Sequence, residues 1–316
     1  MATPVNGAHL DRLDVLAAER GIDLAIDAPM APFTTLRVGG PADRLVAPQT
    51  RDDLLAALRL ARDAASPYLV IGNGSDLVVA DAGIRGLVIR NRARTVTVDG
   101  VQLTADAGAP IALLVRRCTA AGLAGLEFGT SIPGTLGGAV WANAGAHGGD
   151  MGDVIRSVEA WDPDEGAVQS LDGDACAFAY RESRFKHGRE VVVSASLELR
   201  GDLPATIAAR VAVNQAERIA SQPLADQNAG SVFRNPPDDH AGRLIDAAGL
   251  KGMRVGSAAV SDLHANFIVT DRGASAADVR SLGDRVRAVV LKRFGVELAY
   301  EIEFVGDWPG ANGAGT

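Results

Sequence analysis

Apolar residues along the chain follow two periods, one typical of helices and one typical of strands. Thr50 and Asp53 have the spacing of a capping box in front of "RDDLLAALRLARDAAS", and Ser275 and Asp278 repeat this spacing further on. The first of these helices has one apolar face, formed by Leu54, Leu55, Leu58 and Ala61. The same period predicts further helices over residues 110–123, with Pro110 near the start and Gly122 near the end, and over 203–221, 242–250 and 275–295.

Continuous or alternating apolar segments predict the strands. "YLVI" and "LVV" flank a glycine-rich turn, and "TVTVDGVQLTADAG" alternates on both sides of Asp99-Gly100, which is typical of a hairpin. Further strands are predicted in "GLVIRN", "SVEAWDPDEGAVQSL", "VVVSASLELR", "HANFIVTD" and "VELAYEIEFVG". The last of these carries Glu301 and Glu303, which a two-residue pleat places on one face.

The mixture of helices and strands predicts an α+β protein in two parts, with a change of pattern after Gly201. Residues 1–30 form a lead-in helix, 31–201 a first region, 202–306 a smaller α+β region and 307–316 a frayed tail in this prediction.

Composition narrows the class of protein. Hydrophobic residues make up 47% of the 316 and charged residues 22%, which is usual for a soluble globular protein. The net charge of −8 gives no overall basic surface for nucleic acid. The two cysteines, Cys118 and Cys176, lack the spacing of a metal site. We therefore expect a cytoplasmic protein that has no secretory signal, no membrane span, no metal and no nucleic-acid partner.

Two glycine-rich segments are candidates for holding an anionic ligand. Residues 129–153 contain eight glycines interleaved with apolar side chains such as Ile132 and Trp141. Linkers are polar, so this pattern favours a buried loop, whose backbone groups need either a ligand or other protein groups as partners. The second segment, 72–76, directly follows a predicted strand and matches neither GxGxxG nor GxxxxGKS. Its donors could bind a pyrophosphate or belong to an ordinary turn. For both segments, ligand binding and a purely structural role are therefore alternative interpretations.

Seven blocks of sequence occur in an order that resembles the UDP-N-acetylenolpyruvoylglucosamine reductase (MurB) family. They are "FTTLRVGGPAD", "IGNGSDLVV", "IPGTLGGAVWANAGAHGGDMGD", "YRESRFK", "AGSVFRNP", "AGRLIDAAGLKG" and "HANFIV". The resemblance covers roughly residues 30–306, and the chain between Arg181 and Ser231 has no evident insertion. In this respect it resembles the shorter, second type of the family.

The resemblance implies a flavoprotein. Its fold would be a two-subdomain FAD-binding region of the vanillyl-alcohol-oxidase (PCMH) type over 31–201 and a substrate-binding domain over 202–306. FAD would be the cofactor, NADPH the reductant and a UDP-sugar the substrate. Carried over block by block, the implied FAD-binding residues are Gly72, Asn73, Gly74, Ser75, Asp76, Gly129, Ile132, Pro133, Gly134, Gly137, Gly138, Ala142, Asn143 and Gly145.

The family's reaction, reduction of an enolpyruvyl ether, implies three catalytic residues. Hydride addition develops negative charge beside a carboxylate, so a fixed cation and a proton donor are required. The resemblance assigns these roles to Arg181 and Ser231, and a catalytic glutamate to Glu301. Glu303 is the alternative, because "LAYEIEF" departs from the family's usual Leu-Glu-Pro-Glu. Without the resemblance, an ion-pair arginine, a turn serine and a solvated glutamate are the simpler interpretations.

Other assignments are less specific. Tyr180 and Asn235 flank these motifs and are predicted to contact substrate, whereas His147 and His264 receive no role. Two alternatives to the reductase are another flavin oxidoreductase on the same fold and a non-catalytic binding module. The intact blocks after Gly201 favour the reductase. The oligomeric state is not encoded in any motif, and we favour a monomer.

Overall fold

A computed structural model describes residues 7–309, in which helices and strands alternate. The helices are α1 (Ala8–Glu19), α2 (Arg51–Asp63), α3 (Ile111–Ala121), α4 (Leu136–Trp141), α5 (Pro204–Ser221), α6 (Ala241–Ala247) and α7 (Ala276–Phe294). The strands are β1 (Ala25–Pro29), β2 (Pro41–Val46), β3 (Tyr68–Ile71), β4 (Leu77–Val79), β5 (Ile84–Arg90), β6 (Val96–Asp99), β7 (Gln102–Asp106), β8 (Leu123–Ala124), β9 (Gly145–Ala146), β10 (Gly149–Asp150), β11 (Ile155–Asp162), β12 (Ala167–Asp172), β13 (Val191–Glu198), β14 (Arg200–Gly201), β15 (Gln227–Ser231), β16 (Arg254–Val255), β17 (Ala258–Val260), β18 (Phe267–Thr270) and β19 (Glu303–Val305). No helix within 7–309 combines the length and apolar character needed to cross a membrane.

The first sheet is mixed and has the order β1-β2-β5-β3. Strands β2, β5 and β3 are parallel neighbours, and β1 runs antiparallel to β2. Helices α1 and α2 contribute Leu13, Leu54 and Leu58 to a buried core that also includes Leu87 of β5. The predicted lead-in therefore belongs to this unit from Ala8 onward, and residues 1–6 lie outside the described range.

The second sheet is antiparallel, with the order β12-β11-β13-β7-β6. Helices α3 and α4 cover it, and Leu114, Val140 and Val158 are fully buried between them. Helix α5 packs against α3, with Ile207 buried. By packing, α5 belongs with this sheet, although the predicted boundary at 201/202 precedes it.

The third sheet, β15-β18-β17-β16, is antiparallel and packs with α6 and α7. The chain then returns to the first region, where β19 pairs in parallel with β4. Trp308 is 8% exposed and its Nε1 donates to Val305 O at 3.1 Å, so the chain remains packed to this point. The remainder of the predicted tail, 310–316, lies outside the described residues.

Local sequence signals determine several of these boundaries as predicted. Thr50 Oγ1 accepts from Asp53 N at 3.2 Å, and Asp53 Oδ2 accepts from Thr50 N at 3.1 Å, which completes the capping box of α2. Helix α3 begins after Pro110 and ends at Gly122, whose φ of +69° suits glycine. These elements are confirmed because each signal acts within a few residues of its own helix.

The last predicted strand was wrong in extent. Only Glu303–Val305 pairs with β4, whereas Glu301 N donates to Val232 O at 2.8 Å, in a different part of the fold. The two glutamates therefore do not share one regular strand. The partner of each backbone segment is distant in sequence, so the apolar alternation gave no sign of the change.

Candidate active site

A cavity of about 970 Å³ lies among the three sheets and is large enough for a dinucleotide-sized ligand. Its wall comes from several separate segments. They are the loop 72–76 after β3, residues 131–146, residues 181–192, the end of α5 with β15, and residues 301–305.

The loop after β3 presents backbone donors to this cavity. Gly74 has φ +59°, and a Cβ there would lie 2.3 Å from Phe33 O, so only glycine fits. Among the described residues, the N–H groups of Asn73, Gly74 and Ser75 have no hydrogen-bond acceptor. Asn73 Nδ2 donates to Pro133 O at 2.9 Å and thereby joins the two glycine-rich segments. Such a row of unpaired N–H groups suits an anionic ligand.

The second glycine-rich wall is α4, which is docked closely on the second sheet. Leu136 N donates to Ala109 O at 2.9 Å and Gly137 N to Ala107 O at 2.8 Å. A Cβ on Gly137 would lie 2.9 Å from Ala107 Cβ, so this glycine allows the docking. A Cβ on Gly138 would find its nearest protein atom, Thr135 Oγ1, at 3.9 Å. Gly138 therefore leaves room on the cavity side.

Most of the predicted cofactor-binding residues line the cavity. They are Gly72, Asn73, Gly74, Ser75, Asp76, Ile132, Pro133, Gly134, Gly137, Gly138, Ala142 and Gly145. Gly129 and Asn143 are not part of this wall and have structural partners instead. A Cβ on Gly129 would lie 2.8 Å from Ile111 Cγ2, in the core. Asn143 donates through Nδ2 to Ala179 O at 2.8 Å and accepts from Gly152 N at 2.9 Å.

Arg181, Ser231 and Glu301, predicted as catalytic, all line the cavity on one side. Arg181 Nε donates to Glu301 Oε1 at 2.7 Å, and its Nη2 donates to Gly145 O at 2.9 Å. Nη1 makes no hydrogen bond to any residue of the described chain. The two partners fix the guanidinium while leaving donors for a ligand.

Ser231 ends β15 next to an irregularity in the strand. The register between β15 and β18 shifts between Asn228 and Ser231, where Gly230 has φ +74° and donates to Asn228 Oδ1 at 3.0 Å. Within residues 7–309, no side chain hydrogen-bonds Ser231 Oγ. Because Glu301 N binds the carbonyl of Val232, the next residue, the glutamate backbone lies alongside the serine.

Sequence reasoning missed Lys186, which also lines the cavity. Its side chain is 6% exposed, with Nζ 3.3 Å from Glu303 Oε1 and 4.4 Å from the centroid of the Trp141 ring. Glu303 and Glu301 thus both line the cavity, Glu303 paired with Lys186 and Glu301 paired with Arg181. The only available signal was the position of Lys186 at the end of "YRESRFK", where a surface lysine is equally plausible.

Arg218 of α5 is a second cavity residue that the sequence did not reveal. Its guanidinium donates to Thr130 O at 3.3 Å and to Gln222 Oε1 at 3.2 Å, both uncharged. Burial lowers the pKa of Arg218, and no carboxylate of the described residues pairs with it. It is thus a cation available to an anionic ligand.

Tyr180 and Asn235, predicted to contact substrate, lie outside the cavity wall. Tyr180 is 53% exposed, and its ring centroid is 5.2 Å from Arg181 Cζ. Asn235 N donates to the Tyr180 hydroxyl at 3.4 Å, while Asn235 Oδ1 accepts from Ala241 N at 3.1 Å. Asn235 therefore supports the start of α6 in this structure.

The two histidines left without a role have structural contacts. His147 Nε2 lies 2.7 Å from Ser131 Oγ, and its Nδ1 lies 3.2 Å from Glu217 Oε2 on α5. His264 Nδ1 accepts from Asn266 N at 3.2 Å, and burial lowers the pKa of His264. Neither side chain lines the cavity.

Fold and cavity define the class of protein, and comparison with known families identifies it further. A model of the FAD binding domain matches residues 42–172, so this is a protein with an FAD-binding region of the PCMH type. A model of the UDP-N-acetylenolpyruvoylglucosamine reductase C-terminal domain matches residues 222–305. That match begins just after α5, in agreement with the packing of this helix.

Full-length relatives agree with both matches. The chain is 46% identical to a UDP-N-acetylenolpyruvoylglucosamine reductase of Heliobacterium modesticaldum, covering 91% of this chain and 93% of the relative. It is 44% identical to that of Moorella thermoacetica, over 93% and 99%. The crystal structure of the Thermus caldophilus reductase superposes with a TM-score of 0.77 at 36% identity, covering 90% of this chain and 98% of that one. The chain belongs to the UDP-N-acetylenolpyruvoylglucosamine reductase family, and the predicted family, fold class and FAD cofactor are confirmed.

Proposed function

We propose that this protein uses NADPH to reduce UDP-N-acetylglucosamine enolpyruvate to UDP-N-acetylmuramate, a precursor of peptidoglycan. The observation that carries the proposal is the joint position of Arg181, Glu301 and Ser231 on the wall of one cavity with the glycine-rich segments. The two relatives at 46% and 44% identity are both named UDP-N-acetylenolpyruvoylglucosamine reductase, which supports the proposed substrate. The predicted cytoplasmic location and monomeric state stay predictions.

The residues present fit FAD. The unpaired N–H groups of 73–75 would face its pyrophosphate, and Gly138 leaves the space that a close-lying ligand needs. When bound, FAD supplies the redox chemistry by accepting a hydride from NADPH and passing it to the vinyl carbon of the substrate. The protein contributes position, charge and a proton.

Arg181 would bind the substrate carboxylate. Its guanidinium stays charged when partly buried, and here the side chain is 21% exposed. Glu301 and Gly145 O hold two of its nitrogens, so Nη1 and the second Nη2 hydrogen remain for the ligand. A cation fixed in advance stabilises the charge that develops next to the carboxylate during reduction.

Ser231 would donate the proton to the carbon beside that carboxylate. Its hydroxyl makes no hydrogen bond to another side chain in the described structure. The preceding residue, Gly230, has no side chain that would crowd the hydroxyl. Serine is a weak acid, so the role depends on neighbours that stabilise the alkoxide. Arg181 provides positive charge on the same side of the cavity, and Glu301 orients that cation.

Separate measurement of the two half-reactions tests this assignment. In stopped-flow experiments, Ser231→Ala is expected to leave reduction of FAD by NADPH unchanged and to slow reoxidation by the enolpyruvyl sugar nucleotide by several orders of magnitude. Ser231→Cys keeps an acidic proton and should recover part of that rate. Equal losses in both half-reactions would refute the role of Ser231.

The substrate itself is tested by the same preparation. Another flavin oxidoreductase on this fold would not need the Arg181–Glu301 pair beside Ser231. If the reduced wild-type enzyme were reoxidised no faster with the enolpyruvyl sugar nucleotide than without it, the proposed substrate would be wrong while the FAD assignment would stand.

A further inference from the structure

Five charged side chains of the cavity wall form one cluster, which contains one carboxylate more than it contains cations. The cavity wall there contains Asp76, Glu301, Glu303, Arg181 and Lys186. Arg181 pairs with Glu301 at 2.7 Å, and Lys186 pairs with Glu303 at 3.3 Å. Among the described residues, Asp76 has no cation of its own. Three carboxylates thus share two cations.

Asp76 and Glu303 are neighbours because the C-terminal strand β19 pairs with β4 of the first region. The parallel pairing of β4 with β19 places Glu303 opposite Leu77, and Glu303 N donates to Asp76 O at 2.8 Å. Both side chains line the cavity. Burial, and then the charge of Glu303, raise the pKa of Asp76 to about 6; Glu301 acts in the same direction and Lys186 against it. These are the charged side chains that face Asp76, and the FAD pyrophosphate, which would lie against residues 73–75, would add negative charge beside it.

Reduction of bound FAD adds negative charge to this cavity. FAD, when bound by the glycine-rich segments, would become more negative by one charge on accepting a hydride from NADPH, which would leave as NADP⁺. In an enclosed, weakly solvated site, added negative charge favours protonation of the nearest carboxylate. We propose that Asp76, beside Glu303, is a redox-linked proton site, whose carboxylate takes up a proton from solvent when bound FAD is reduced.

The pH range of this uptake follows from the direction of the shift. At pH values well below 6, Asp76 already holds its proton in the oxidised enzyme, so reduction takes up none there. At higher pH, Asp76 is ionised in the oxidised enzyme, and the added charge on the flavin raises its proton affinity. Uptake therefore occurs above the pKa of Asp76 in the oxidised enzyme and ends at the pH where Asp76 is ionised in both redox states.

The test measures protons rather than turnover. The midpoint potential of the holoenzyme is titrated electrochemically between pH 6 and pH 9, without NADPH or sugar nucleotide, and its slope against pH gives the protons bound per two electrons. Wild type is expected to take up one proton more than Asp76→Asn in the middle of this range. Glu303→Gln removes a negative charge that raises the proton affinity of Asp76, so the uptake should move to lower pH.

Lys186→Met tests the direction of the shift, and Asp226→Asn serves as the control. Lys186→Met removes the opposing cation, so Asp76 should bind its proton more tightly and the uptake should move to higher pH. Asp226→Asn neutralises another carboxylate of the cavity wall and should leave the proton count as in wild type. The same slope in wild type, Asp76→Asn and Glu303→Gln would overturn the proposal, and if Asp76→Asn fails to bind FAD, Glu303→Gln and Lys186→Met decide it. The experiment uses only FAD, so its failure leaves the proposed substrate untouched.

Discussion

Individual residues of the cavity wall differ in whether their role can be recognised from the sequence. The family blocks led to Arg181, Ser231 and Glu301, and the structure brings these three to one side of a cavity. They also led to Gly129, whose lack of a Cβ serves the packing of Ile111. A glycine that approaches a ligand and a glycine that approaches protein look the same in sequence. Lys186 shows the opposite problem, because nothing local distinguishes a buried lysine from a solvated one.

The contacts of Arg181 predict that its shape matters as well as its charge. Lysine carries its three donors on one nitrogen, so it cannot reach Glu301, Gly145 O and a substrate carboxylate from three separate positions as the arginine nitrogens can. We expect Arg181→Lys to slow substrate-dependent reoxidation of the flavin on the order of 10²-fold or more. Stopped-flow absorbance measures this rate directly, together with reduction by NADPH, which should change little.

A matched arginine three residues later serves as the control for this change. Arg184 pairs with Glu190 and donates to Ala175 O, and it does not line the cavity. Arg184→Lys should leave both half-reactions near wild type. Equal rates of substrate-dependent reoxidation in Arg181→Lys and Arg184→Lys would contradict the proposed role of Arg181 in binding the substrate carboxylate.

Whole elements were predictable where their signals are local. The capping box of α2 and the Pro110 and Gly122 boundaries of α3 were confirmed, since each depends on contacts within one turn. The hairpin of β6 and β7 also formed, with Asp99 paired to Gln102. The final strand was shorter than its apolar alternation indicated, because β4 and Val232 compete for adjacent residues. Both partners are distant in sequence and leave no local signal in the segment itself.

Helix α4 makes a prediction that separates docking from ligand contact. In Gly138→Ala, the new methyl group meets no protein atom closer than 3.9 Å, so the free energy of unfolding of the apoprotein should change by well under about 1 kcal/mol. The methyl group would occupy space on the cavity side, so the Kd for FAD should rise at least about tenfold, equivalent to about 1.4 kcal/mol. Fluorescence titration of the apoprotein with FAD measures this Kd.

The neighbouring glycine is the matched control. In Gly137→Ala, the methyl group would lie 2.9 Å from Ala107 Cβ and 3.2 Å from Ala107 O, so α4 must move off the sheet. We expect a loss of about 1–3 kcal/mol in the free energy of unfolding, measured by urea denaturation. Weaker FAD binding by Gly137→Ala with unchanged stability, or wild-type FAD binding by Gly138→Ala, would contradict this division of roles.

At the scale of the whole molecule, the cavity depends on connections between the FAD-binding region and the C-terminal region. One is the parallel pair β4–β19, which carries Glu303 to the side of Asp76. Another is Thr270, whose Oγ1 donates to Leu36 O at 2.8 Å. The site could not be assembled from either region alone, because Ser231 and Glu301 come from the second and the glycine-rich walls from the first.

Asp81 provides the clearest of these connections and the last prediction. Its carboxylate accepts from Ala276 N at 2.8 Å and from Ala277 N at 3.0 Å, so a residue of the first region caps the N-terminus of α7. Asp81→Ala leaves these donors unpaired and removes a negative charge from the positive end of the helix. We expect a loss of about 1–2 kcal/mol in the free energy of unfolding.

The position of that loss distinguishes a regional connection from an ordinary cap. Hydrogen exchange should become faster in the first turn of α7 and in the third sheet of Asp81→Ala, while α2 remains protected. Thr50→Ala removes the cap of α2 within the first region and should show the reverse pattern, with a loss of about 1 kcal/mol. Because Ser231 and Glu301 lie in the region that loosens, Asp81→Ala should also slow substrate-dependent reoxidation more than reduction by NADPH. Uniformly faster exchange across the protein would mean that Asp81 stabilises the fold as a whole rather than holding the C-terminal region against the FAD-binding region.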